Sequence, residues 1–355
     1  MEKQQFESDA ESYESRSEDL SKSASSKDSS MKSILNSLES NAIQKINESN
    51  FEKAIKILRK TEDMLEIMTT EGSLVVSEKV LAVLHNLASC YQSNGFLEKS
   101  AAYLDACLFN VNSLKAMKNN KESIAYEIKK LKYIGTVQIQ MCAVLSRLGK
   151  HKEAIKHARA ANKSIMNVVK LLISASKSQE KKVTSCRRKN YDLSEQQLRC
   201  YNNISLVKPT LKSIEKYLTT GRINEPQQIR TALGVKHYPE WVKTYSIADV
   251  MIIKPVTARE LRSSSKLYKE YTNDSLVHVV CLLAVSYFCM GTELKYLQTT
   301  QPFDFKSDNE IEQTQLKSQE LLNAFVPPNC PLLNHINESH QSRFKENLQE
   351  IVRAT

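Results

Sequence analysis

Three stretches decide the fold: Asn50-Phe51-Glu-Lys-Ala54-Ile-Lys-Ile-Leu58, Gly95-Phe-Leu97-Glu-Lys-Ser100-Ala-Ala-Tyr-Leu104 and Gly149-Lys-His151-Lys-Glu-Ala154-Ile-Lys-His-Ala158. Each opens on a turn residue, Asn or Gly, and enters an apolar-periodic segment with a small residue near its start. Those small residues, at 54, 100 and 154, lie 46 and 54 positions apart. A helical stripe precedes each stretch. Ile34, Leu35, Leu38, Ala42, Ile43 and Ile46 form the first, and Val80, Leu84, Leu87, Ala88 and Tyr91 the second. The third helix is predicted from about 123 to Arg147. The pattern is a helix, a tight turn and a second helix, repeated. A small residue at the crossing lets two helices approach closely while larger apolar residues surround it. Each pair leaves an apolar face uncovered, so neighbouring pairs must stack.

Composition supports long helices. The 355 residues contain seven glycines, at 72, 95, 135, 149, 221, 234 and 291, no two closer than 13 positions. That spacing excludes dinucleotide-binding, phosphate-loop and kinase glycine motifs. The eight prolines all lie at or after Pro209. Helices are therefore expected over 34–46, 51–72, 74–93, 97–117, 123–147 and 152–174. The second half is less regular. It offers a helix over 193–218 around Pro209, a short run Val250-Met-Ile-Ile253 that reads equally as strand or buried loop, and a very apolar helix over 276–297. Pro327, Pro328 and Pro331 precede a short final helix near Phe344 to Val352.

Residues 1–30 hold ten serines, eight acids and four bases. They bury too little to offset their ordering entropy and are expected to be disordered. The expected organisation is a Ser-rich acidic tail (1–30), helical repeats (31–175), a helical extension or capping region (176–300), and a linker with a short C-terminal helix (301–355). The polar N-terminus does not read as a secretory signal. The apolar run Leu276–Met290 is shorter than a membrane span needs, about 20 residues, and reads as a buried helix. Eight cysteines without a CxxC pair read as reduced, buried thiols.

The repeated turns resemble the tetratricopeptide repeat family. Leu84, Leu87-Ala88, Tyr91, Gly95, Leu97 and Ala101 follow its pattern in the second unit. Leu145, Gly149, Ala154-Ile155, Ala158 and Ala161 follow it in the third, and Phe51, Ala54-Ile55 and Leu58 in the first. The resemblance covers about 34–170, with periods longer than the family's usual 34 residues. It implies an all-α, tetratricopeptide-like antiparallel helical hairpin array, an α-solenoid, with an irregular helical C-terminal half. It also implies a concave groove lined by the first helix of each pair. Those groove positions are Glu39, His85, Asn86, Ser89, Gln92, Gln140 and Arg147, a polar mixture suited to a peptide or a helix of a partner. In the subset that grips the acidic C-terminus of heat-shock chaperones, the clamp positions correspond to Glu39, Ile43, Asn86, Thr136 and Gln140. Only Asn86 agrees, and Glu39 would repel a carboxylate.

No chemistry is legible. Ser263-Ser-Ser-Lys266 and Ser307-Asp-Asn309 imitate penicillin-binding motifs without their third element. His278 and Cys281 share a helix face at metal-ligand spacing but sit in the most apolar helix. His151 and His157 are expected on a solvent face. Neither a nucleophile with its base nor a cofactor motif is identified, so the expected function is non-enzymatic, with no cofactor and no metal. The net charge is +10. Since residues 1–30 carry −4, the remainder carries +14. Lys177, Lys181, Lys182, Arg187, Arg188 and Lys189 form a basic run opposed only by Glu180. The expectation is a scaffold or adaptor, part of a multi-protein cytoplasmic assembly, cytoskeletal or ciliary, with no membrane partner. Its basic run would meet an acidic partner such as tubulin tails. The alternative is a nucleic-acid-associated protein using the same run, ranked second because aromatic stacking platforms are missing.

Overall fold

The structure, a computed structural model, describes residues 30–69, 75–117, 124–188, 194–221, 239–261, 267–300 and 308–339. The expected tail, apart from position 30, and the expected helix near Phe344–Val352 lie outside these residues. Among the described residues there is no strand. The long helices are α1 (30–47), α2 (Phe51–Thr69), α3 (Val75–Ser93), α4 (Leu97–Met117), α5 (Ile124–Arg147), α6 (His151–Arg188) and α7 (Glu195–Thr220). They are followed by α8 (Asn273–Thr300), α9 (Asp308–Phe325) and α10 (331–339).

The three turns read from the sequence are built alike. Ser49, Gly95 and Gly149 hold left-handed φ angles of 56°, 77° and 72°. In each, the left-handed N–H donates three residues back, to Ile46, Gln92 or Ser146. The next N–H donates five residues back, to Lys45, Tyr91 or Leu145. This is the Schellman arrangement, which satisfies the last carbonyls of one helix as the chain turns into the next. The small residue then starts the second helix: Ala54, Ser100 and Ala154 donate to Asn50, Phe96 and Lys150. All three are 0% exposed. The Ser100 hydroxyl reaches the Ala88 carbonyl of α3 at 2.9 Å, so α3 and α4 nearly touch there. At the α5–α6 crossing, a Cβ on Gly135 would lie 2.7 Å from Ile165 Cγ1, so glycine sets that approach.

Consecutive helices pack together from α2 to α7. Leu35, Ala42 and Ile46 of α1 share a core with Ala54, Leu58 and Leu65 of α2 and Val83, Leu87 and Tyr91 of α3. α8 packs on α5, α6 and α9. It is the described helix long and apolar enough to cross a membrane, yet every residue from Val279 to Gly291 is buried within the protein. A helix apolar all round belongs at the centre of a core.

Three elements differ from the sequence reading. α6 continues past the expected stop near Ser174, across the expected boundary at 175, to Arg188. No Gly or Pro interrupts 174–188, and Ala175 and Val183 are buried. Lys177 pairs with Glu215, and Glu180 with Lys208, across to α7. The segment read as linker contains α9, whose Ile311, Leu321, Leu322 and Phe325 are fully buried. His151, expected on a solvent face, is instead held 2.7 Å from the buried carboxylate of Glu293 and stacked on Tyr296.

Two substitutions test this hairpin construction. Ala154→Leu should overpack the α5–α6 turn and lower stability by about 1–3 kcal/mol in urea unfolding. Ser49→Gly should raise it by about 0.5–1 kcal/mol, because a side chain is strained at left-handed φ.

Candidate peptide groove

α3 presents an unusual combination. Every residue from Leu81 to Gln92 is buried, including His85, Asn86, Ser89 and Gln92. These four recur at i, i+1, i+4 and i+7, one side of the helix. Buried polar groups must find partners or forfeit their hydration. Their partner is the chain's own main chain, about 160–170 residues further on.

That segment follows a helical turn, Ile247–Met251, and runs non-helically from 252 to 257. Pro255 favours this, since the residue before a proline avoids helical backbone. The segment passes antiparallel to α3. Gln92 Nε2 donates to the Met251 carbonyl at 3.2 Å, and its Oε1 accepts from the Ile253 N–H at 2.8 Å. Ser89 Oγ donates to the Ile253 carbonyl. His85 Nε2 lies 3.1 Å from the Lys254 carbonyl. Asn86 holds both main-chain groups of Val256, donating to its carbonyl at 2.9 Å and accepting from its N–H at 2.8 Å. On α1, Glu39 accepts from the Ala258 N–H. The side chains thus replace the ladder that a neighbouring strand would supply. Ile253 is 1% exposed, anchoring the strap in the core, whereas Ile252 is 50% exposed.

Because a carbonyl only accepts, His85 must carry its proton on Nε2. Its Nδ1 is then free to accept from the Tyr133 hydroxyl at 3.4 Å. Burial pushes the His85 imidazole down to about 4, although the bond to Lys254 pulls the other way. Upstream, the strap is fixed by an aromatic cluster. Trp241 packs edge-on against Tyr245 and His278, and burial, helped by nearby Lys132, pushes His278 down to about 4. Asp249 caps the turn through the Ser246 N–H and pairs with Lys254 at 2.6 Å. Partial burial pushes its carboxyl up, but these bonds outweigh it and leave the group below its ordinary value.

Of the groove positions named from the sequence, Glu39, His85, Asn86, Ser89 and Gln92 converge on the strap. Gln140 does not: it is buried on α5, with Oε1 sealed and without a hydrogen-bond partner among the described residues. Arg147 is exposed at the C-terminal end of α5. The basic run is elsewhere, along the end of α6 facing α7. Lys181 and Lys182 are exposed there. The side chains of Arg187 and Arg188, and all of Lys189, lie outside the described residues, as does Ser263–Lys266. Cys281 is fully buried beneath the strap's aromatic anchor. The sequence reading missed the strap as the groove's occupant. Its signal was a lone apolar run before a proline, with no second strand among the described residues to pair with it.

Comparison with known proteins returns no matching family model, no matching curated protein and no matching solved structure.

Burial of two neutral imidazoles gives a pH dependence. The unfolded chain titrates them near 6.5 and the folded protein near 4, so the unfolded state binds more protons between those values. Their contribution is fully present above about pH 6.5 and is lost as pH falls, by about 3 kcal/mol for each at pH 4. His278→Phe should therefore flatten the decline of the urea midpoint between pH 6.5 and 4.5.

Proposed function

We propose that this protein is a non-enzymatic scaffold or adaptor of the helical hairpin-array type, and that its α1–α3 groove takes an extended segment of a protein partner in place of the strap. One observation carries this reading: Glu39, His85, Asn86, Ser89 and Gln92 grip seven main-chain groups between Met251 and Ala258. Main-chain recognition transfers to any segment that can lie extended with an apolar residue at the Ile253 position, as in other modes of strand capture. The Schellman turns and the buried small residues of the three hairpins favour a tetratricopeptide-like array over an unrelated bundle. The exposed Lys181 and Lys182 supply a second contact, for an acidic partner such as tubulin tails in a cytoplasmic, cytoskeletal or ciliary assembly.

The groove is tested by weakening the strap and offering it in trans. Ile253→Ser removes the strap's core anchor while leaving every groove side chain intact. A labelled peptide of sequence MIIKPVTA should then bind this full-length variant at least tenfold more tightly than the parent, read by fluorescence anisotropy. Adding Asn86→Ala should abolish that binding. Failure of the peptide to bind the Ile253→Ser variant, with its helicity retained, rejects the groove as a partner site.

The basic run has a separate test. Lys181→Ser with Lys182→Ser should reduce co-sedimentation with microtubules and leave the melting temperature unchanged. Loss of binding to DNA or RNA alone would move the run to the nucleic-acid alternative.

A further inference from the structure

α6 and α7 leave an open groove of about 650 Å3 between them. Lys170, Ser174, Lys177 and Lys181 line it from α6, at i, i+4, i+7 and i+11, which is one stripe of the helix. All four are exposed. Among the described residues the acid in this lining is Glu215 of α7, and it is already paired with Lys177. The wider surface has the same sign. From 170 to 220 the sequence holds eleven Lys and Arg against four acids, a net of +7. Glu180, Glu195 and Glu215 are each paired within the surface, with Lys208, Arg199 and Lys177. The fourth acid, Asp192, lies outside the described residues. Like charges at i, i+4, as at Lys177 and Lys181, disfavour the helix that carries them. An acidic segment along the stripe therefore removes a repulsion as well as adding attractions.

The chain carries such a segment. Glu7-Ser-Asp9-Ala-Glu11-Ser-Tyr-Glu14-Ser-Arg16-Ser-Glu18-Asp19 holds six acids and one base, the most acidic stretch of its length in the sequence. Glu7, Glu11, Glu14 and Glu18 are spaced i, i+4, i+7 and i+11, the spacing of the groove stripe. That series is the same read in either direction, so a helix formed on docking would match it in either polarity.

The segment also reaches. Asn36 of α1 bonds to Lys79 of α3, and His85 of α3 meets Tyr133 of α5. Gly135 of α5 lies against Ile165 of α6. Counting along these helices from those contacts brings the start of α1 level with Lys177–Lys181, three interhelix steps away, or about 24–30 Å. The eleven steps from Asp19 to position 30 extend to about 36–40 Å. A tether this short holds the segment near the groove at about millimolar effective concentration.

We propose that residues 7–19 dock on the α6–α7 groove of their own chain and so compete with any acidic partner of that surface. The competition rests on Lys181 being a contact for acidic partners; the docking itself does not.

Fluorescence anisotropy with a labelled peptide of sequence ESDAESYESRSED tests the docking. The acceptor is the full chain with its tail neutralised by Glu7→Gln, Asp9→Asn, Glu11→Gln, Glu14→Gln, Glu18→Gln and Asp19→Asn. The peptide should bind this variant at least tenfold more tightly than it binds the parent, whose groove is occupied. Adding Lys170→Ser and Lys181→Ser, both exposed changes, should weaken binding at least tenfold with the melting temperature unchanged. Raising salt from 50 to 300 mM should weaken it at least fivefold. Equal affinity for the parent and the neutralised variant overturns the proposal, as does binding that the two lysine changes leave intact. An isomeric peptide with its acids gathered at one end should bind at least threefold more weakly, and equal affinity overturns the assignment to this segment. A mass that doubles with concentration in the parent but not in the neutralised variant, by light scattering, would seat the tail on a second copy and overturns the intramolecular contact. No microtubule or nucleic acid enters these measurements, so their failure strikes the docking and not the acidic-partner reading of the basic run.

Discussion

A buried hydrogen-bonding group must be answered, and in this protein that constraint joins the two halves of the chain. α3 sinks four polar side chains into the interior, and the segment after Met251 exposes a strand's worth of unpaired N–H and C=O groups. Neither is acceptable alone. An unsatisfied buried donor or acceptor costs about 1–3 kcal/mol, so separating the two surfaces would leave several such penalties at once. Together they pair seven main-chain groups of the strap with side chains of α1 and α3. Asn86 and Gln92 each offer one donor and one acceptor on a single amide, which is what an extended backbone presents. Proline at 255 falls where the strap needs no donor, so its missing N–H goes unnoticed.

This closure changes how the hairpins should be regarded. In a simple array each unit touches only its neighbours, and stability is a sum of local terms. Here Asn86 and Val256 are 170 positions apart, and Glu39 and Ala258 are 219 apart. α8 adds to this by packing on α5 and α6 far from its own position in sequence. The strap and α8 therefore pack directly against helices of the first half. Contacts of such separation pay their loop-closure entropy before they return any stabilisation, so they are expected to form late. The local turns at Ser49, Gly95 and Gly149 need no such closure and are the natural early structure.

That division explains what could be read in advance. The hairpins are legible because their information is local: a turn, a small residue five positions after its left-handed residue, and apolar periodicity on each side. The side of α3 carrying His85, Asn86, Ser89 and Gln92 comes from the tetratricopeptide resemblance, which implies a groove along the first helix of each pair. Their occupant does not. Nothing near Val250–Ile253 says which distant side chains will receive its backbone. The end of α6 is hidden in the sequence because Ser, Lys and Arg dominate 174–188, and the few buried apolar residues there are widely spaced. α9 does not stand out in the sequence because Gln, Asn and Glu dilute its apolar stripe, although Ile311 and Leu322 are as buried as any core residue. In each case composition described the exposed side of the helix and hid the packed one.

The geometry of the groove also sets what an occupant must be. All seven polar contacts go to main chain, so they cannot distinguish one side chain from another. Discrimination falls to Ile253, whose side chain is sealed, and to the backbone preference imposed by Pro255. Ile252 and Lys254 point toward solvent and would admit almost any residue. A groove of this kind selects a conformation first and a sequence second. The tethered strap already has that conformation, and its local concentration at the groove is far above that of any free peptide. A competing segment must therefore either match the Ile253 contact and bind more of the groove than the strap does, or arrive when the strap's anchor at Trp241, Tyr245 and His278 has been loosened. The strap thus acts as the standard against which every other occupant is measured, and the aromatic anchor upstream of it is where that standard is set.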